Sequence, residues 1–188
     1  MNPSSRARTA AIRTILIAGV VGLAAVASSC SVQQTVGAPW CQGAGSLLIM
    51  AQSVPTASQI PCLEPLPDGW QVVTVNVNQD RTVVTLDSDR AGDGAAVLRF
   101  EEECDVTEAV QAPTDQLSAD RYDAIVTATP SFEGERFYLF PGGCVRWAFD
   151  FDSGTSATEA IAVAEILVLI SRVDLNASVR ESFIDEEF

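Results

Sequence analysis

Apolar and polar residues alternate with a period of two along much of the chain, which is typical of half-buried β-strands. The most regular alternation follows the turn at 141–143, where one face of the predicted strand carries only large apolar residues: Val145, Trp147, Phe149 and Phe151. Similar runs predict about six strands, at 73–77, 84–86, 96–101, 121–129, 135–140 and 145–152. Short turns between consecutive strands favour an antiparallel meander.

A helix after the last strand is expected to cover the apolar face of the sheet. Ser156 and Glu159 have the spacing of a capping box, and the apolar run at 161–170 is interrupted only by Glu165. Glu165 and Arg172 then fall on one side of the predicted helix. The run is too short and too interrupted to span a membrane.

The residues before the first strand predict a small N-terminal extension of the domain. The apolar patch at 45–54 fits either a short helix or a buried strand. A loop punctuated by prolines follows this patch: Pro55, Pro61, Pro65 and Pro67. A second, weaker helix is predicted at 176–183. Together these elements predict an α+β domain, with an antiparallel sheet packed by a C-terminal helix.

Residues 1–29 have the layout of a secretory signal peptide. Arg6, Arg8 and Arg13 precede an uncharged run at 14–27, and no acidic residue occurs before Glu64. At about 1.5 Å per residue the run would span roughly 20 Å, which is short of the ~30 Å hydrocarbon core. We therefore expect a cleaved signal rather than a stable membrane span.

The segment Val26-Ala27-Ser28-Ser29-Cys30 resembles a bacterial lipobox, with Ala27 where Leu is usual. The resemblance implies that Cys30 is acylated, followed by a tether at 30–40 and an extracytoplasmic domain at 41–188. Arginine without lysine adds a resemblance to uncharacterised exported lipoproteins of actinobacteria, which implies a location and no activity. Two alternatives stay open: cleavage after Ala27 with release of the domain, and an uncut signal anchor with its basic flank inside.

Five cysteines indicate export to an oxidising compartment, where thiols pair. Acylation of Cys30 removes one of them and leaves Cys41, Cys62, Cys104 and Cys144 as two pairs. Four cysteines allow three pairings, and separation along the chain favours Cys41–Cys62 and Cys104–Cys144. Loops of those lengths would each stabilise the fold by roughly 3–4 kcal/mol. Without a Cys-x-x-Cys motif, we expect these cysteines to be structural.

The charged residues exclude several classes of function. The chain has 25 acidic residues, 11 arginines, no lysine and no histidine. From Cys30 onward, 8 arginines against 25 acidic residues give a net charge of −17, which disfavours nucleic-acid binding. The missing imidazole and amine groups exclude Ser-His-Asp, Cys-His and Ser-Lys catalysis, and zinc sites that need histidine. We expect no catalytic residues, no cofactor and no metal.

Two groups of carboxylates support weaker hypotheses. The acidic turn at 87–94 suggests an irregular calcium site, but Ala91 and Leu98 occupy positions where an EF-hand needs oxygen ligands. An acidic hairpin connection is the favoured interpretation of this turn. Asp150 and Asp152 would lie on one strand face with about 6.5–7 Å between their Cα atoms, a spacing compatible with glycoside hydrolysis.

These patterns favour a binding module over an enzyme. Seven aromatic residues are expected to fill the core or to line a pocket for an apolar or glycan ligand: Trp70, Tyr122, Phe137, Tyr138, Trp147, Phe149 and Phe151. The leading hypothesis is a membrane-tethered extracytoplasmic module that binds an envelope protein or a small ligand. The alternative is a carboxylate-dependent hydrolase of cell-envelope glycans. An apolar cavity would favour ligand carriage, whereas an exposed aromatic patch would favour a protein partner.

Overall fold

The computed structural model describes residues 34–152 and 154–184 of the 188-residue chain. The predicted signal at 1–29, Cys30 and the start of the predicted tether lie outside the described residues. Within the described part, no helix is long and apolar enough to cross a membrane. The strands are β1 (Gln34–Thr35), β2 (Gln59–Leu63), β3 (Trp70–Val77), β4 (Arg81–Ser88), β5 (Gly92–Glu101), β6 (Val110–Ala112), β7 (Asp120–Thr127), β8 (Glu133–Phe140), β9 (Gly143–Asp150) and β10 (Leu167–Ser171). The helices are α1 (Ala44–Ser53), α2 (Ala157–Ala164) and α3 (Arg172–Ile184).

Eight strands form the main sheet, and their pairings are antiparallel. Their order across the sheet is β1-β3-β4-β5-β9-β8-β7-β6. The prediction of an α+β domain with an antiparallel sheet is confirmed, and the predicted strands correspond to β3, β4, β5, β7, β8 and β9. The predicted single meander is interrupted once. After β5 the chain passes to the far edge of the sheet and returns through β6, β7 and β8, so that β9 pairs with β5.

Four strands are missing from the sequence prediction, for physical reasons that differ among them. β1 and β6 are two and three residues long, which is too short to show a periodicity. β2 is buried at all five positions and contains Pro61, so it shows no polar alternation. β10 pairs with β2 in a separate antiparallel sheet, with Val168 opposite Cys62. In the sequence, β10 lies within the apolar run at 161–170 that predicts a helix.

The prediction of a helix is wrong for the second half of the run at 161–170. α2 ends at Ala164, and the backbone N–H of Glu165 donates to the Ile161 carbonyl at 3.0 Å. A short apolar run fits a buried strand as well as a buried helix, and pairing with β2 decides for the strand. Glu165 and Arg172 therefore do not share a helix face, since Arg172 begins α3.

One hydrophobic core lies between the inner face of the main sheet and the elements that cover it. The strand face predicted to be apolar is buried, with exposures of 5% or less: Val145, Trp147, Phe149 and Phe151. The ambiguous patch at 45–54 forms α1, which buries Leu47 in this core. α2 buries Ala160 and Val163 there. The weaker helix predicted at 176–183 lies within α3.

Two disulfides join Cys41 to Cys62 and Cys104 to Cys144. These are the pairs that separation along the chain favours. The first disulfide ties the residues before α1 to β2, and the second ties the start of the β5–β6 crossover to β9. Structural disulfides are typical of proteins that fold in an oxidising, extracytoplasmic compartment.

Candidate functional site

A cleft opens between the inner face of β7–β8 and helix α2. It consists of two adjoining cavities of about 700 and 230 Å³, which share Arg121, Arg136 and Ile161 in their linings. The larger cavity is the polar end, and its lining includes Asp115, Gln116, Tyr138 and Glu165. The smaller cavity is the apolar end. Besides the three shared residues and two acidic ones (Asp123 and Glu135), it is lined by Ile125, Phe132, Phe149, Ala157 and Ala160. We call the two cavities together the β7–α2 cleft.

Strand register brings four polar side chains together on the floor of the cleft. Asp123 lies opposite Arg136, and Arg121 lies opposite Tyr138. Because residues two apart on a strand point to the same side of the sheet, these four form a block on the inner face. Arg136 also lies opposite Trp147 of β9, which places the block beside the hydrophobic core.

Asp123 binds both arginines of this block. Arg136 Nε donates to Asp123 Oδ1 at 2.9 Å, and Arg121 Nε donates to the same oxygen at 3.1 Å. Arg121 Nη2 contacts Asp123 Oδ2, and Arg121 Nη1 donates to the Pro113 carbonyl at 3.3 Å. The side chains of Arg121, Asp123 and Arg136 are 23%, 25% and 13% exposed, so these ion pairs are largely shielded from water.

Burial and hydrogen bonding act in opposite directions on the pKa values of the block. Burial favours the neutral form of Asp123, but the hydrogen bonds and positive charges of Arg121 and Arg136 outweigh it and lower the pKa of Asp123. The hydrogen bond to Asp123 raises the pKa of Arg121. Burial raises the pKa of Tyr138, which keeps its proton at neutral pH. At neutral pH the floor therefore presents an ionised, arginine-bound carboxylate and a neutral phenol.

Replacing Asp123 by Asn is expected to reduce the loss of stability in acid. Because the folded-state pKa of Asp123 lies below its unfolded value, its contribution is present above the unfolded pKa and is lost as pH falls through the folded pKa. The wild type should therefore lose more free energy of unfolding than Asp123→Asn as the pH falls below about 4. Urea denaturation at a series of pH values measures both losses. Equal losses of unfolding free energy in the two proteins would contradict a lowered pKa of Asp123 in the folded state.

The ring of Phe132 shapes the apolar end. A Cβ atom on Gly134 would come within 2.8 Å of the Ala124 carbonyl oxygen, too close for any side chain, and within 3.3 Å of Phe132 Cζ, so glycine at this position leaves room for the ring beside β8. Ile125 and Ile161 also line this cavity, although they are 66% and 47% exposed. The apolar end thus presents aliphatic surface that remains in contact with water.

Gln116 closes one side of the polar end. Its Nε2 donates to the Leu167 carbonyl at 3.0 Å, and its Oε1 accepts from the Leu169 N–H at 3.4 Å. The side-chain amide therefore pairs with β10 as a strand residue would, and it attaches the loop before β7 to that strand. The loop that carries Asp115 is held at the mouth of the cleft by this contact.

The acidic turn at 87–94 connects β4 to β5 as a hairpin. Asp87 Oδ1 accepts the backbone N–H of Gly94 at 2.6 Å, which closes the turn between β4 and β5. Asp89 contacts Arg90 at 3.6 Å. Within the described ranges, no group of three or more Cys, Asp and Glu side chains is close enough to hold a metal ion.

The predicted hydrolase pair lies away from the cleft. Asp150 ends β9 with an exposed side chain, and Asp152 follows the strand rather than sharing its face. The backbone N–H of Asp152 donates to the Ala91 carbonyl at 2.9 Å, which fixes the chain after β9 to the β4–β5 turn. Neither carboxylate lines either cavity of the cleft.

The predicted aromatic residues belong mainly to the core. All except the half-buried Tyr122 are at most 6% exposed, and Tyr138 and Phe149 also line the cleft. A second, apolar hollow of about 310 Å³ lies beside the Cys41–Cys62 disulfide, and its lining includes Trp40 and Leu66. Trp40 is 39% exposed and is not one of the predicted pocket residues.

Sequence reasoning missed the arginine–aspartate block, although its signal is present. Arg121 and Asp123 are spaced two residues apart in one predicted strand, as are Arg136 and Tyr138 in the next. In a hairpin this spacing puts polar groups on the face that should be apolar. The chain matches no protein-family model, no curated protein and no solved structure at a significant level. A proposal of function therefore depends on the geometry of the cleft.

Proposed function

We propose that this protein is a membrane-tethered extracytoplasmic binding module that takes up a small ligand in the β7–α2 cleft. The observation behind the proposal is the change of lining along the cleft, from guanidinium, carboxylate and phenol groups to aromatic and aliphatic side chains. A few convergent polar groups beside apolar walls are typical of ligand sites. The larger cavity, about 700 Å³, is within the roughly 300–1,000 Å³ range of such sites. The ligand is amphipathic.

The proposed tether is supported by the lipobox-like sequence and by the disulfides. Acylated Cys30 would lie four residues before β1, which begins at Gln34, so the domain would be held close to the bilayer. Intact mass of the protein extracted from its native membrane tests this. The expected mass begins at Cys30 with added acyl groups, and it rises by the four hydrogens of two disulfides on reduction. A mass beginning at Ser28 would contradict the tether.

The carboxylates favour binding over hydrolysis of glycans. Glycoside hydrolysis needs a protonated acid beside a second carboxyl group. Asp123, on the cleft floor, is held ionised by two arginines and cannot serve as that acid at neutral pH. The pair at Asp150 and Asp152 is outside the cleft linings.

The substitution Ile161→Glu is expected to weaken uptake of an apolar probe while leaving the fold intact. Ile161 lines both cavities and is 47% exposed, so Glu is tolerated in the fold but places a charge against the apolar probe. The protein carrying Cys30→Ser, which cannot be acylated, is titrated with N-phenyl-1-naphthylamine, whose fluorescence rises in apolar surroundings. Ile161→Glu should weaken binding by at least about tenfold, or about 1.4 kcal/mol.

Val173→Glu is the matched control. Val173 is an apolar helix residue that is 75% exposed and lines neither cavity of the cleft. Val173→Glu should bind the probe as the parent does. Loss of binding in both variants, or in neither, would contradict the assignment of the site.

A further inference from the structure

We infer that the ligand of the β7–α2 cleft is a single-chain amphiphile whose head group carries hydroxyl groups and no net charge. The inference rests on the proposed function and adds the chemical class of the ligand. It follows from the charge balance of the polar end, from the hydrogen-bonding groups there and from the size of the apolar end.

The charges of the polar end disfavour an anionic head group. Arg121 and Arg136 supply two positive charges, and three carboxylates at or in contact with this end supply negative ones: Asp115, Asp123 and Glu165. The balance of two against three is −1, in a domain that is strongly acidic as a whole. An anion would have to share both arginines with Asp123, which already accepts hydrogen bonds from their Nε atoms at 2.9 and 3.1 Å and offsets part of their positive charge.

A cationic head group is disfavoured because the shielded carboxylates already have partners. Asp123 is bound by two guanidinium groups, and the side chain of Glu135 lies on the outer face of the sheet, away from the cleft, where it pairs with Arg146 at 3.4 Å. The remaining acids, Asp115 and Glu165, have exposed side chains at the mouth, where water and salt screen their charge. A cation that passed them would meet the two guanidinium groups of the floor.

Hydroxyl groups match the polar end because each can both donate and accept a hydrogen bond. The floor offers donors from Arg121 and Arg136, together with the protonated phenol of Tyr138. The mouth offers carboxylate acceptors from Asp115 and Glu165. A head with several hydroxyl groups can bond to both sets without bringing a charge into the cleft.

The apolar end accommodates one alkyl chain. Its volume is about 230 Å³, below the roughly 300 Å³ at which cavities begin to hold a drug-sized molecule. The Phe132 ring forms part of its wall, and Ile125 and Ile161 leave it open to solvent. Contact with a chain would remove this exposed aliphatic surface from water, which is favourable. The larger polar cavity then suits a bulky head on a single slender tail.

Three dodecyl amphiphiles that differ only in their heads test the inference: dodecyl maltoside (uncharged), dodecyl sulfate (anionic) and dodecyltrimethylammonium (cationic). Each amphiphile is used below its own critical micelle concentration, in competition with N-phenyl-1-naphthylamine for the Cys30→Ser protein. Circular dichroism checks that the protein stays folded. Dodecyl maltoside is expected to bind at least about tenfold more tightly than either charged amphiphile. Tighter binding of a charged amphiphile, or no displacement of the probe by dodecyl maltoside, would overturn the inference of an uncharged, hydroxylated head group. Absence of binding by the naphthylamine probe itself would overturn the proposed function.

A charge-removing variant separates electrostatics from shape. Glu165→Gln removes one negative charge from the mouth, and its side chain is exposed, so folding should be preserved. The Kd of dodecyl sulfate relative to that of dodecyl maltoside should fall about threefold, because one like charge has been removed. Glu108→Gln, at an exposed acid that lines neither cavity of the cleft, should leave the ratio unchanged. An unchanged ratio in Glu165→Gln would overturn the charge argument.

Discussion

The double substitution Cys104→Ala and Cys144→Ala is expected to lower the free energy of unfolding by about 4 kcal/mol. The disulfide joins residues separated by 40 positions. In the chain-entropy model, a cross-link over a loop of that length stabilises the fold by restricting the unfolded chain. Urea denaturation of the mutant and the parent at neutral pH measures the difference.

The topology of the sheet explains why this cross-link matters. Between β5 and β6 the chain passes β9, β8 and β7, which is about 19 Å at roughly 4.8 Å per strand. The disulfide attaches the start of that crossover to β9. The control is Cys41→Ala with Cys62→Ala, whose separation of 21 predicts about 3 kcal/mol. Losses below about 1 kcal/mol in both proteins would contradict a structural role for the disulfides.

The substitution Arg172→Met is expected to cost about 3 kcal/mol of stability. Its guanidinium donates to three backbone carbonyl oxygens: Ala57 at 2.6 Å, Val54 at 2.7 Å and Ala51 at 3.0 Å. Two of these acceptors are at the C-terminal end of α1, where unpaired carbonyl groups and the helix dipole both favour a cation. Met would cover similar apolar surface but would leave all three carbonyl groups without this donor.

Arg180→Met is the matched control, because Arg180 is an exposed arginine on the same helix. Its replacement should change the free energy of unfolding by less than about 0.5 kcal/mol. Thermal and urea denaturation of the two variants give the comparison. Similar losses in both variants would contradict the assignment of this stability to the three hydrogen bonds of Arg172.

The strands of the main sheet were predictable where one face of the strand is buried and the other is exposed to solvent. β9 is the clearest case, since Trp147 is fully buried while its neighbour Arg146 is partly exposed. The same physics fails for β2, whose five residues are all buried. It also fails for β10. The run from Leu167 to Ile170 is wholly apolar, so its pattern fits a helix and a strand equally well, and pairing with β2 selects the strand. Local periodicity carries no information about which distant strands pair with each other.

The site was less predictable than the fold because its charges depend on register. Arg121, Asp123 and Arg136 each look like ordinary surface residues in the sequence. Only the pairing of β7 with β8 sets Asp123 opposite Arg136 on the covered face of the sheet. Gln116 is a further example, since its side chain bonds to β10 across 51 positions of sequence. No local pattern reports such a contact.

The claim that the β7–α2 cleft is the binding site is tested most directly by amide chemical shifts. Labelled Cys30→Ser protein would be titrated with dodecyl maltoside below its micelle concentration. The largest shifts are predicted at 121–125, 134–138 and 157–165, which line or flank the two cavities. Shifts concentrated instead around Trp40, Leu63 and Leu66, in the hollow beside the first disulfide, with the cleft unchanged, would contradict the account.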